Sequence, residues 1–211
     1  MNIRASSLPA IGILMLTTVS WGADISSSKP VSDDAVQTYS FTGTVENIRP
    51  DKSSTAKIGD RVTGTFTIDQ TAVSTDITDR RVSYRFASGT PLVFTLNTMK
   101  FGAVPSSLPC MASVHNNELD GDKTPDNFRM ACTDEALSKS LGLAFLAATL
   151  NLYDSSATVF SGTSLPRDFN LQTFDNARLA VIGTRRCNKS EQCSELAFDI
   201  TMRIDSIIKQ K

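Results

Sequence analysis

The chain has a single histidine, His115, and a single tryptophan, Trp21, among 211 residues. One imidazole excludes metal centres that need two or three histidines. A lone histidine among many serines and aspartates does not define a catalytic triad, which is recognised by geometry. The nucleophile-elbow, P-loop and dinucleotide-binding fingerprints are all missing. Charge of one sign is not in excess either: 21 basic residues face 22 acidic ones, for a formal net charge of −1. That balance gives no electrostatic ground for nucleic acid or an anionic membrane as a partner. The basic pairs Arg80-Arg81 and Arg185-Arg186 read as solvated loop charges. Long apolar runs are absent as well. Leu8–Val19 and Leu141–Leu152 both fall short of the roughly 20 residues a membrane span needs, so the mature chain is expected to have no transmembrane segment.

The first of those runs has another use. Arg4 precedes it, and Ser20-Trp21-Gly22 follows, with small residues at the two positions a signal peptidase inspects. The expectation is a signal peptide over residues 1–22 with cleavage before Ala23, and a secreted or periplasmic protein. No cysteine follows the run, so a lipid anchor is not expected. Residues 23–34 are serine-rich and polar and read as a flexible lead-in, leaving 35–211 as a single β domain.

That domain is legible through alternation. In Arg61–Asp69, Val62, Gly64, Phe66 and Ile68 fall on one side, and charged residues or threonines on the other. A period of two places them on opposite faces of a strand, with one face covered. The same pattern recurs through Tyr39, Phe41, Gly43 and Val45; through Val82, Tyr84 and Phe86; and through Leu92, Phe94 and Leu96. Cys110–His115 and Phe128–Cys132 read as hairpin arms. Further strands are expected from Leu141 to Asp154, from Ala177 to Thr184, and from Glu195 to Asp205, where Leu196, Phe198, Ile200, Met202 and Ile204 all face inward. Thr133 and Asn170 are candidate caps for two short helical turns. The predicted fold is all-β, an antiparallel β-sandwich or flattened barrel of about nine or ten strands.

Four stretches taken in order, YSFTGTVE from Tyr39, GDRVTGTFTID from Gly59, LNLYDSS from Leu150 and SGTSLPRDFNLQTFDNARLAVIG from Ser161, resemble secreted bacterial β-rich proteins that often carry a PEP-CTERM sorting tail. The resemblance covers most of the mature chain and rests on strand-and-turn patterns. It implies a sheet fold and export from a bacterium, and it carries over no catalytic residues. The chain departs from tailed members in ending at Ile207-Ile208-Lys209-Gln210-Lys211, without an apolar sorting helix.

Candidate chemistry is sparse. Asp120, Asp122 and Asp126, with Thr124, place side-chain oxygens at alternate positions of LDGDKTPDN, a pattern that could serve calcium. The EF-hand template fails, because its sixth and twelfth positions hold Pro125 and Cys132, and a polar hairpin tip explains the same residues. His115, beside Asn116, is expected at the surface. Four cysteines in an exported protein suggest disulfides, here the two local pairs Cys110–Cys132 and Cys187–Cys193, both lacking redox or zinc spacing. Asn188-Lys189-Ser190 matches a glycosylation sequon of little consequence in a bacterium.

The sequence thus leads to a non-enzymatic exported β-sandwich without a cofactor, acting as a binding or structural module on an unknown partner in the bacterial envelope or extracellular space. Two alternatives follow it: a barrel enclosing a small apolar ligand, and a hydrolase using scattered acids such as Asp168 and Asp175.

Overall fold

The computed structural model describes residues 35–49, 56–86, 91–118, 125–186 and 194–211. Among them eleven strands form one antiparallel sheet. They are β1 (Val36–Arg49), β2 (Arg61–Asp69), β3 (Val73–Ile77), β4 (Arg81–Arg85), β5 (Leu92–Leu96), β6 (Met99–Phe101), β7 (Met111–His115), β8 (Asp126–Thr133), β9 (Phe145–Asp154), β10 (Asn176–Arg186) and β11 (Ser194–Lys209). Their order across the sheet is β3-β4-β7-β8-β9-β10-β11-β1-β2-β5-β6.

The alternation of the sequence is the reason one face is covered. Tyr39, Phe41, Phe66, Phe94, Phe101 and Phe128 are fully buried and belong to one core with the apolar positions of β7 to β11. A single sheet can bury one face only by rolling over it. Phe66 in β2 and Phe128 in β8 are five strands apart, roughly 24 Å on a flat sheet. Both rings nevertheless lie against Phe169, at 5.3 and 4.9 Å. The edge strand comes round as well: the N–H of Gly102, just after β6, donates to Asp134 Oδ2, just after β8, at 2.7 Å. The architecture is therefore one continuous sheet rolled around an aromatic core.

Two strands are missing from the sequence-based prediction. β3 lies in what reads as a polar loop; all five of its residues are exposed, so burial leaves no alternation on it. β6 is three residues long and returns from β5 through Asn97, whose positive φ of 54° makes the tight turn. Other boundaries are corrected too. Asp134, not Thr133, caps the helix α1 (Glu135–Ser140), accepting from the Leu137 N–H, while the Thr133 hydroxyl is buried without a partner. β9 starts at Phe145, because α1 and its turn at Gly142 occupy the residues before it. Asn170 does cap a 3-10 turn, Leu171–Thr173. Leu196 is 50% exposed, because a bulge between Gly183 and Thr184 interrupts its register with β10. Arg81, Arg185 and Arg186 lie within strands, not loops.

The Cys110–Cys132 pair is bridged, with its Cα atoms 4.4 Å apart. Met111 opposes Ala131, so the two cysteines extend the register of β7 and β8 by one step. Cys187 and Cys193, and with them the second expected disulfide, lie outside the described residues, as do residues 1–34, where a signal peptide and a lead-in are expected. No helix among the described residues is long and apolar enough to cross a membrane.

Candidate functional site

The outer face of the rolled sheet differs from one half to the other. Over β1, β2 and β11 it is rich in hydroxyls that bond one another, as in Thr38 with Thr67 at 3.1 Å and Thr42 with Ser206 at 2.8 Å. Over β7 to β10 it carries larger polar groups in two rows. Residues directly opposed in an antiparallel pair point to the same side. Ser113 opposes Arg129, Arg129 opposes Asn151, and Asn151 opposes Arg178. Beside that row, His115 opposes Asn127, Asn127 opposes Tyr153, and Tyr153 opposes Asn176. Arg129 and Arg178 are exposed and the other six half-buried.

The two arginines that flank the rows, Arg81 and Arg203, are paired. Arg81, opposite His115, meets Asp76 at 2.8 Å and Glu118 at 3.6 Å; Arg203, opposite Arg178, meets Asp205 at 3.0 Å and Glu46 at 3.3 Å. Among the described residues, Arg129 and Arg178 have no acidic partner and no hydrogen bond. They are two strands apart, about 10 Å at the backbone, with Asn151 between them. The Oδ1 atoms of Asn127 and Asn151 are shielded from solvent and receive no donor.

At the edge of the patch, His115 is held on both sides. Its Nε2 lies 2.9 Å from Ser113 Oγ, and its Nδ1 contacts Glu118 Oε2. The ring is fixed and half-buried, not a free surface histidine.

The other acidic candidates are occupied by structure. Asp126 is wholly buried, its Oδ1 accepting from the Asn117 N–H at 3.1 Å and its Oδ2 from the Phe160 N–H at 2.7 Å. Asp120 and Asp122 lie outside the described residues, and no group of three metal-ligating side chains occurs among those described. Asp168 and Asp175 are not brought together: Asp168 pairs with Lys209 at 3.0 Å, and Asp175 accepts from the Ser155 N–H at 2.7 Å. The 155–168 segment is pinned at its far end by Tyr39, whose hydroxyl sits between Gln37 Oε1 and the Arg167 carbonyl. Burial, with the Asp168 charge second, pushes that hydroxyl up to about 12. The segment encloses a groove of about 490 Å³ between Val159 and Asp168, and a second groove of about 360 Å³ runs beside α1 past Leu108 and Phe145.

No single-sequence motif announces the two rows, yet a signal is present. Asn127-Phe-Arg129, Asn151-Leu-Tyr153 and Asn176-Ala-Arg178 each set an asparagine two residues before an arginine or tyrosine, across one buried position. Antiparallel pairing interleaves these triplets into one patch. Comparison with protein-family models, curated proteins and solved structures finds no match.

Proposed function

We propose that this protein is an exported, non-enzymatic binding module of the bacterial envelope or extracellular space, and that it holds an anionic ligand on the outer face of β8, β9 and β10. The observation behind this is the contrast between Arg129 and Arg178, which lack counter-ions, and the neighbouring Arg81 and Arg203, which have them. Two unit charges about 10 Å apart repel by about 0.4 kcal/mol even in water, and by more near a protein surface. An anion between them removes that repulsion and gains charge-assisted hydrogen bonds. Export is supported by the leader-like residues 1–22 and by the Cys110–Cys132 bridge, a bond typical of oxidising compartments. The interior gives a small apolar ligand little room, since Tyr39 stacks on Phe66 at 5.0 Å and Phe94 on Phe101 at 4.9 Å.

The test is retention on a carboxylate-bearing polymer as salt is raised. Wild-type protein is retained at low salt, and Arg129→Gln/Arg178→Gln weakens binding about tenfold or more, the worth of one charged hydrogen bond. Unchanged retention of the double variant contradicts the reading.

A second reading has one observation in its favour. Ser113, His115 and Glu118 are linked in the order of a serine-hydrolase relay. Against it, β7 lies between β4 and β8, so its backbone N–H groups serve the ladders and do not form an oxyanion hole. Covalent labelling of Ser113 by a fluorophosphonate, abolished by His115→Ala, would favour the hydrolase.

A further inference from the structure

We infer that the ligand of this face is an acidic polysaccharide, a chain of uronic acid sugars lying across the strands over Asn127, Arg129, Asn151, Tyr153, Asn176 and Arg178. This rests on the anion-binding reading and adds the chemical class. Three features select it. First, the six residues occupy two adjacent rows of one sheet face, so they present a shallow platform for an extended polymer and not a pocket for a compact ion. Second, Tyr153 stands between Asn127 and Asn176, with Asn151 two residues before it on the same face. Its half-buried ring has no aromatic partner among the described residues. The negative face of such a ring attracts the weakly positive C–H face of a sugar, while flanking amides bond its hydroxyls. Third, Asn127 Oδ1 and Asn151 Oδ1 lack donors. A hydroxylated ligand that displaces the side chains shielding them supplies O–H donors, and its carboxylates supply acceptors to Arg129 and Arg178. A phosphodiester backbone offers acceptors only and leaves the two amide oxygens without donors.

Titration calorimetry on the full-length protein tests this with four probes: an oligogalacturonate, a neutral glucan of equal length, dextran sulfate and a single-stranded oligonucleotide. The oligogalacturonate is expected to bind and the neutral glucan not to. Tyr153→Ala should weaken the first about tenfold, as loss of a stacking platform does, while Tyr153→Phe retains most of the affinity. Matched melting temperatures would show that the variants are folded. Equal binding of dextran sulfate or oligonucleotide with no effect of Tyr153→Ala overturns the uronic acid chain and leaves anion binding standing. Oligogalacturonate binding insensitive to all six positions, or no binding of any polyanion, overturns both.

Discussion

Asp126 and Asp154 stand directly opposite each other at the end of the β8–β9 pair, 0% and 1% exposed. Two buried carboxylates at one ladder position would repel if nothing else were near. Each instead gathers N–H groups from the adjoining loops. Asp154 Oδ1 accepts from the Ser156 N–H at 2.9 Å and its hydroxyl at 2.6 Å, and Oδ2 from the Thr158 N–H at 2.9 Å. Burial alone would raise the Asp154 carboxyl, but these bonds outweigh it and hold it below the usual carboxylate range. The pair is an anchor for the segment after β9, with both carboxylates occupied by loop donors.

Asp154→Asn should destabilise the fold by about 1–3 kcal/mol, since an amide NH₂ replaces an acceptor facing N–H donors. Because the folded carboxyl titrates below its unfolded value, its contribution is present above about pH 4 and is lost as pH falls through the folded value. Urea melts at pH 7 and pH 3 should show the wild type losing more stability on acidification than the Asn variant. Equal losses would contradict the anchor.

Gly64 lies in register with Phe41 on one side and Phe94 on the other. A Cβ there would stand 2.6 Å from Phe41 Cζ, 2.6 Å from Phe94 Cβ and 2.4 Å from the Val93 carbonyl oxygen. The glycine makes room for two core rings. Gly64→Ala is expected to cost about 1–3 kcal/mol through overpacking, read as a lower denaturant midpoint with an unchanged slope. A neutral substitution would show that the rings are not fixed there.

The Cys110–Cys132 bridge closes a 22-residue separation. Replacing both cysteines by serine should remove about 3 kcal/mol on the loop-entropy account. Thermal melts of the double variant check this, and peptide mapping without reductant checks the pairing. A peptide joining Cys110 to Cys187 or Cys193 would contradict it.

The sequence exposes the sheet well and the site poorly, for one physical reason. Burial writes period two onto β1, β2, β5 and β11, so their core faces are readable. β3 is exposed throughout and β6 has only three residues, so neither carries enough pattern to be seen. The patch depends on cross-strand register, which brings Arg129 and Arg178 together from positions 49 residues apart. Net charge conceals it further. A total of −1 is compatible with acids consumed on Arg81, Arg203 and loop N–H groups while Arg129 and Arg178 have no acidic partner among the described residues. The near balance of charge gives no electrostatic ground for nucleic acid or an anionic membrane, and local segregation of charge is what that average cannot report.

The account's central claim is where ligand sits, and amide chemical-shift mapping during an oligogalacturonate titration tests it most directly. Shifts should concentrate on residues 127–129 of β8, 151–153 of β9 and 176–178 of β10, and should vanish in Arg129→Gln/Arg178→Gln. Perturbations centred on the groove beside α1 or on the Val159–Asp168 segment, with β8 to β10 unmoved, would contradict it.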